Sequence, residues 1–112
     1  MSVKKPHHHP NSPCLESLPF DAEVADRLAG IFKQVGDPTR LKIFWLLCQQ
    51  EECVTNIAYL LDMSSPAISH HLKSLKLADL IESERKGKEM FYRPKSNKPA
   101  RLLEKILSQT FE

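Results

Sequence analysis

The chain lacks the features that mark several large classes of protein. No apolar run approaches the roughly 20 residues that a membrane span requires, so no transmembrane segment is predicted. Only three glycines occur in 112 residues, and none belongs to a phosphate-cradling loop. No pair of acidic residues is placed for general acid and base catalysis. We therefore expect a protein that is not an enzyme and has no organic cofactor.

Cysteine is also scarce, and its number is odd. The three cysteines do not form the spacing pattern of a disulfide framework. The first 13 residues contain lysine and histidine but no apolar stretch, so they are not predicted to be a signal peptide. Reduced thiols and a cytoplasmic location are the expectation.

Charge is distributed unevenly along the chain. Residues 15–62 hold eight acidic and four basic residues, whereas residues 85–98 hold six basic residues and one acidic residue. A basic block of this kind is typical of an element that binds phosphate, although a solvated loop has the same composition. The six basic residues are Arg85, Lys86, Lys88, Arg93, Lys95 and Lys98.

The segment just before the basic block predicts a helix with one apolar and one polar face. Ile68, Leu72 and Leu75 recur at helical spacing and indicate a buried stripe. The opposite face presents small hydroxyls and a cation, which suit base edges and phosphates in a major groove. Ser64 or Ser65 is expected to cap this helix, with Pro66 in its first turn. The candidate DNA-contacting residues here are Ser64, Ser65, Ser69, His70 and Lys73.

A shorter helix is predicted at residues 55–61, joined to the polar-faced helix by a tight connection at 62–64. The two helices together are typical of a helix-turn-helix, and an ordinary amphipathic surface helix is the alternative. His71 falls nearer the apolar side of the second helix, where a partly buried packing role is expected. Further DNA contacts are expected in the basic block, from Arg85, Lys86 and Lys88.

The rest of the chain completes a mainly α fold with a β-hairpin. Residues 1–19 contain four of the eight prolines and show no periodicity, so a flexible arm is predicted, followed by one domain at 20–112. Two helices are expected before the helix-turn-helix, the second with Leu41, Phe44, Trp45 and Cys48 on one stripe. Residues 80–84 and 89–93 predict two strands with Gly87 in the turn. A last amphipathic helix presents Leu103, Ile106, Leu107 and Phe111.

Four segments in the same order resemble the ArsR–SmtB family of metal-responsive winged helix-turn-helix repressors. They are Gly36-Asp-Pro-Thr-Arg-Leu-Lys-Ile43, Glu52-Cys-Val54, Ser64-Ser-Pro-Ala-Ile-Ser-His-His-Leu-Lys-Ser-Leu75 and Arg85-Lys-Gly-Lys-Glu-Met-Phe-Tyr92. The resemblance implies a homodimer that packs its first and last helices, about 21–35 and 99–111, across a two-fold axis. It also implies a repressor that sits on double-stranded operator DNA when metal-free and leaves when metal binds.

The resemblance places Cys53 where several family members bind metal, with further ligands from the N-terminal arm. This arm supplies Cys14, His7, His8 and His9, which would suit Zn(II) or Cd(II). The three histidines have a second interpretation as the remnant of a polyhistidine tag. Thr55 and Asn56 stand where some family members have a second cysteine or an aspartate, so a mixed Cys-His site is favoured over a thiolate-rich one.

Other candidate sites are less well supported by the sequence. Other family members bind zinc between the paired last helices of the two protomers, through ligands that include histidine. The last helix of this chain contains no histidine, so this zinc site is not expected. Cys48 lies on an apolar stripe and is expected to fill the core. The predicted function is a repressor released from its operator by Zn(II) or Cd(II). The alternatives are a repressor switched by a Cys14–Cys53 disulfide, or a metal-carrying protein without DNA binding.

Overall fold

The computed structural model describes residues 3–7 and 9–111. These residues form five helices and three strands, and this architecture confirms the predicted mainly α winged helix-turn-helix. In chain order the elements are α1 (Ala22–Val35), α2 (Pro38–Gln49), β1 (Glu52–Cys53), α3 (Val54–Leu61), α4 (Ser65–Leu77), β2 (Ile81–Lys86), β3 (Glu89–Pro94) and α5 (Lys98–Phe111).

Side-chain caps fix where four of the helices begin, and at the start of α5 the Oδ1 of Asn97 accepts from the backbone N–H of Ala100 at 2.9 Å. A carboxylate oxygen of Asp21 accepts from the backbone N–H of Glu23 at 2.8 Å at the start of α1. Asp37 accepts from the backbone N–H of Arg40 at 3.0 Å at the start of α2. Ser64 rather than Ser65 caps α4, through the backbone N–H of Ala67 at 3.3 Å. These bonds satisfy N–H groups that the first helical turn leaves without a partner, which is why the sequence signals were reliable.

The core lies between α2, α3, α4 and the base of the hairpin. On α2 the prediction was wrong in detail, because Ile43, Phe44 and Leu47 face the core while Trp45 and Cys48 are only half-buried. Helix α2 is apolar on most of its sides and packs against α4, β3 and α5, so periodicity could not identify its innermost stripe. The buried core residues are Val35, Ile43, Phe44, Leu47, Ile57, Ala58, Ile68, Leu72, Leu75, Leu80, Ile81, Ala100 and Leu107.

The hairpin pairs β2 with β3 in antiparallel register, from Ile81 opposite Pro94 to Lys86 opposite Glu89. Gly87 in the turn adopts φ +67°, a left-handed conformation that favours glycine. A third strand, β1, pairs Cys53 with Phe91 on the other edge of β3. The sequence did not predict β1, because two residues are too few to show a period. Strand β1 connects the start of α3 to the hairpin of β2 and β3, which forms the wing.

The last helix divides its apolar residues differently from the prediction. Leu107 is buried and Leu103 is half-buried against the protein's own core, whereas Ile106 and Phe111 are exposed. Phe111 nevertheless lies against Trp45, with ring centroids 6.0 Å apart. The sequence had indicated that these four apolar residues would be buried by a partner protomer, and this expectation was wrong for Leu103 and Leu107. The helix is long enough to cover the core with one face and leave another apolar face outside.

The arm contains no helix in residues 3–7 and 9–19. Val3 and Leu15 form an isolated antiparallel bridge, and the Nζ of Lys5 donates to Ser12 Oγ at 2.8 Å. No helix of the described residues has the length and apolarity to cross a bilayer.

Candidate nucleic-acid interface and cysteine sites

Helix α4 presents one polar face to solvent and buries the other. Ile68, Leu72 and Leu75 are almost completely inaccessible, as the sequence predicted. The side chains proposed to contact DNA from this element, Ser64, Ser65, Ser69, His70 and Lys73, are all exposed. The short, polar side chains leave the surface of α4 open to close approach by a base-pair edge.

The turn between α3 and α4 sets the angle between these two helices. Asp62 ends α3 in the left-handed conformation, with φ 53°, and the backbone N–H of Met63 donates to the carbonyl of Ala58 at 2.9 Å. Asp is one of the few residues other than glycine that tolerates this conformation. The connection predicted at residues 62–64 is therefore a tight turn with its own hydrogen bonds, and it holds the two helices as one unit.

His71 is half-buried, in agreement with the prediction, but the sequence did not reveal its partner. Its Nδ1 accepts a hydrogen bond from Nε of Arg40 at 3.1 Å. Arg40 stands 31 residues earlier, in the first turn of α2. Only the tertiary packing of α2 against α4 brings these two residues together.

The wing carries fewer available cations than its sequence suggests. The Nζ of Lys86 forms an ion pair with Glu51 and lies 5.5 Å from the centroid of the Phe91 ring. Arg93 forms ion pairs with Glu84 at 2.8 Å and with Glu51 and Glu82 at 3.5 Å. Three of the six basic residues are thus engaged within the protein, since Lys95 also pairs with Asp79.

Within residues 85–98 the sequence has six basic residues and one acidic residue, Glu89. The acidic partners of the basic residues lie outside this segment. Glu82 and Glu84 face Arg93 across the hairpin, while Glu51 approaches from the segment before β1. The hydrogen bond from Lys86 lowers the pKa of the Glu51 carboxyl below its usual value. The hydrogen bond to Glu84 raises the pKa of Arg93, and the bond to Asp79 raises the pKa of Lys95.

Arg85 and Lys88 differ from their neighbours on the wing. Both side chains are exposed, and neither has an ion-pair partner in the part of the chain that the structure describes. Lys88 lies in the two-residue turn beside Gly87. These two cations are therefore the ones best placed on the hairpin to meet phosphate.

The proposed metal ligands that the structure describes are not brought together within one protomer. Cys53 is 4% exposed, at the N-cap position of α3, whereas Cys14 is exposed on the arm. His7 and His9 are also exposed on the arm, and their rings lie 6.3 Å apart. His8 lies outside the described residues. In residues 3–7 and 9–111 no group of three histidine, cysteine or acidic side chains could hold a metal ion.

Glu52, beside Cys53, is buried and has its own partners. One carboxylate oxygen accepts from Nε2 of Gln50 at 3.1 Å, and the other accepts from Nδ2 of Asn56 at 2.8 Å. Asn56 therefore supports a neighbouring carboxylate. The sequence gave no sign of this small network, since glutamate is usually found at the surface.

Cys48 is a different kind of thiol from the other two. Burial, and then the negative charge of Glu104, raise the pKa of Cys48 to about 12. The thiolate is the form that binds metal and attacks disulfides, so this side chain is a poor ligand and a poor nucleophile at neutral pH.

An apolar cleft separates α1 from α5. Its volume is about 390 Å³, and its walls include Leu28, Phe32, Leu102 and Ile106. Phe32 is 64% exposed. Isolated exposed apolar residues are common, but a contiguous set on two neighbouring helices is typical of an interaction surface.

Comparison with known proteins gives a consistent set of relatives. A family model described as "Bacterial regulatory protein, arsR family" matches residues 37–83. The cadmium resistance transcriptional regulatory protein CadC of Listeria innocua is 40% identical over 78 residues, 69% of this chain and 66% of that protein. The transcriptional repressor SdpR of Bacillus subtilis is 44% identical over 62 residues, 55% of this chain and 69% of that protein. The repressor SmtB of Mycobacterium tuberculosis is 32% identical over 91 residues, 78% of this chain and 67% of that protein.

Solved structures give the same picture. The homodimeric winged helix-turn-helix DNA-binding domain of Mb0332 from Mycobacterium bovis, a possible ArsR-family regulator, superposes with a TM-score of 0.73 at 30% identity. The match covers 86% of this chain and 89% of that domain. The transcriptional repressor BigR from Xylella fastidiosa superposes with a TM-score of 0.70 at 25% identity, covering 78% of this chain and 86% of that one.

Proposed function

The chain belongs to the ArsR family of bacterial regulatory proteins, and we propose that it is a homodimeric repressor that reads operator DNA with α4. The observation that carries this proposal is the polar face of α4. Ser65, Ser69 and Lys73 are exposed, and none of them has a side-chain hydrogen bond or ion pair within the described residues. Donors and acceptors that are not used within a protein remain available to base edges and phosphates.

The dimer is proposed to form through the apolar cleft between α1 and α5. A two-fold axis along this surface would cover Leu28, Phe32 and Ile106 on both protomers at once. The similarity to the homodimeric domain from Mycobacterium bovis supports a homodimer. Because each protomer would then offer one α4, the dimer would present two reading helices to successive major grooves of a palindrome.

Each wing would lie over the flanking backbone of its half-site. Arg85 and Lys88 are the proposed phosphate contacts at the tip of the wing. Lys86 was also a candidate from the sequence, but its ion pair with Glu51 gives it a smaller part in the proposal. A phosphate would have to displace that carboxylate before it could use the Lys86 charge.

The experiment for DNA binding begins with selection from a pool of random double-stranded sequences. We expect the full chain to enrich a palindrome, and footprinting to show two protected half-sites about one helical turn apart. Sedimentation of the free protein should give a dimer. A monomer, or a pool that stays random after several rounds, would overturn the proposal.

The effector is proposed to be a thiophilic divalent ion, Zn(II) or Cd(II), held by Cys53 and donors of the arm. Thiolate and imidazole suit such ions, and the name of the relative CadC supports cadmium as one candidate. The arrangement in one protomer does not yet fit four-coordinate binding, because Cys53 is buried apart from the exposed Cys14, His7 and His9. The arm of the same or the partner protomer would have to move onto α3.

Metal binding is tested with the reduced full chain. We expect Cd(II) to give the ultraviolet absorption of cadmium bound to thiolate, and the Cys53→Ser variant to lose it. Cys48→Ser is the matched control: it should keep the absorption, and it should lower the free energy of unfolding by about 1 kcal/mol because a hydroxyl replaces a half-buried thiol. Absorption that survives in Cys53→Ser would contradict this site.

A Cys14–Cys53 disulfide remains the alternative signal. Mild oxidation followed by mass spectrometry of peptides would detect it directly. Operator release on oxidation, with no response of the reduced protein to Zn(II) or Cd(II), would favour the disulfide over the metal.

A further inference from the structure

Arg40 joins three helices through one guanidinium group. Its Nη1 donates to the backbone carbonyl of Gln34 at 3.2 Å and to the side-chain Oε1 of the same residue at 2.8 Å. Its Nε donates to Nδ1 of His71 at 3.1 Å. Gln34 lies in the last turn of α1, Arg40 in the first turn of α2, and His71 in the middle of α4. The three helices therefore meet at a single set of directional bonds.

These bonds define the protonation state of the His71 ring. An arginine side chain is always charged in proteins and has no acceptor, so its Nε can only donate. Nδ1 of His71 must then carry a lone pair, and the neutral ring has its proton on Nε2. Asp37 lies on the same side, with Oδ2 3.9 Å from Nδ1. A proton on Nδ1 would remove the acceptor and turn the ring toward Asp37.

We propose that His71 is a positioning residue for DNA reading, whose Nδ1 fixes the rotation of α4 about its own axis. This inference rests on the proposed function of α4 as the reading helix. Ser69 and Lys73 lie two residues to either side of His71, so a small rotation of α4 moves both of them together. The apolar contacts of Ile68 and Leu72 hold α4 against the core without a preferred direction, and the hydrogen bond to His71 adds a constraint on direction.

The same bond connects the reading helix to the proposed dimer surface. Arg40 holds the end of α1, the helix that carries the exposed Leu28 and Phe32. The distance between two reading helices in a dimer depends on how each α4 is seated relative to its α1. A bond from α2 to both helices would therefore set the fit to two half-sites at once.

Two substitutions separate the acceptor from the bulk of the side chain. In His71→Asn the amide oxygen can occupy the place of Nδ1, and in His71→Gln it lies near the place of Nε2 instead. Affinity is measured by fluorescence anisotropy for a duplex selected by the wild type and for a scrambled duplex of the same composition. We expect His71→Gln to lose about tenfold in affinity for the selected duplex, the size of a lost bond to a charged group, and little for the scrambled one. His71→Asn should stay within about threefold of the wild type.

The outcomes distinguish this inference from the proposed function. A wild type that selects no sequence overturns both, because no reading helix is then left to be positioned. A wild type that selects a palindrome while His71→Gln binds it equally well overturns the positioning role alone. If His71→Gln does not fold, which circular dichroism would show, the His71→Asn variant decides. A loss of about tenfold in the affinity of His71→Asn for the selected duplex would then contradict the inference.

Discussion

Helix α4 and the wing both carry exposed polar side chains, but they differ in how many of these side chains are already bound within the protein. On α4, Ser69 and Lys73 have no side-chain partner in the described part of the chain. On the hairpin, Lys86 and Arg93 are held by three carboxylates, one from the segment before β1 and two from β2. The two surfaces are adjacent in the sequence, and we expect them to contribute differently to DNA binding.

The difference shows that charge in a sequence and charge at an interface are separate quantities. A carboxylate that pairs with a lysine must be displaced before the lysine can meet a phosphate, and the loss of that pair offsets part of the gain. Two of these ion pairs join the hairpin to Glu51 in the segment before β1, and we expect them to stabilise the wing in this position. We therefore expect the wing to contribute to DNA affinity through its tip, and α4 to contribute both affinity and discrimination.

The largest expected effect on DNA affinity comes from placing a negative charge on the exposed polar face of α4. Ser69→Glu would set a carboxylate against base edges and phosphates, and a like charge in such an interface costs several kcal/mol. We expect affinity for the selected duplex to fall by about 100-fold or more. Anisotropy titrations at fixed salt measure this loss.

Ser96→Glu is the matched control for that substitution. Ser96 is also an exposed serine, but it lies between β3 and α5, so the variant has the same net charge without a carboxylate on α4. Its affinity should fall much less. Equal losses in the two variants would mean that net charge, rather than the face of α4, governs binding.

A smaller effect should separate reading from anchoring on α4 itself. Ser69→Ala removes a group proposed to contact a base edge, so it should reduce the preference for the selected duplex over a single-mismatch duplex by about 1 kcal/mol. Lys73→Ala removes a proposed phosphate contact and should weaken binding to both duplexes alike. Titrations of both variants on both duplexes provide the comparison. Loss of discrimination in Lys73→Ala alone would exchange the two roles.

The sequence predicted the fold because its signals were local. Asp21, Asp37 and Ser64 cap helices, and Gly87 supplies a positive φ in the hairpin turn, each within a few residues of its effect. The short strand β1 was missed because its partner lies about 40 residues away. The family suggested by the four segments is confirmed by the comparisons, as is the expectation of a DNA-binding regulator that is not an enzyme.

The candidate site was predicted less completely than the fold. The contacts that decide which of its side chains are available join residues that are far apart in the sequence. The exposure of Ser69 and Lys73 followed from helical periodicity. The pairing of Lys86 with Glu51 and of His71 with Arg40 depends on how β1 and α2 pack, and no spacing in the sequence encodes it. The DNA contacts, and the ligand set of Cys53 with the arm, remain predictions.

A still smaller effect should distinguish two lysines on the wing by salt dependence. The logarithm of affinity falls with the logarithm of salt concentration by about 0.9 for each phosphate that a protein neutralises. Lys88→Ala would remove one proposed phosphate contact from each protomer, so the slope of the dimer should fall by about 2. Lys86→Ala should leave the slope nearly unchanged, because Glu51 already neutralises that charge. Equal changes of slope in both variants would show that DNA displaces Glu51.

The smallest expected effect concerns the acid limb of stability. The pKa of Glu51 is lowered in the folded protein, chiefly by the hydrogen bond from Lys86, so the folded state favours the charged carboxylate. This contribution is fully present above the unfolded value, about 4.3, and it is lost as the pH falls through the folded pKa. Because both side chains are near solvent, the difference should be modest and should shrink in high salt.

Thermal melts of wild type and Glu51→Gln between pH 2.5 and 7 measure this difference. The variant should melt below the wild type at neutral pH, and the two curves should converge at the acid end, where the wild-type carboxylate is protonated as well. Glu89→Gln is the control, since Glu89 is exposed and has no ion pair within the described residues. It should follow the wild type throughout. If Glu51→Gln also follows the wild type at neutral pH in low salt, the pair with Lys86 does not stabilise the wing. Lys86 would then be as available to phosphate as Lys88.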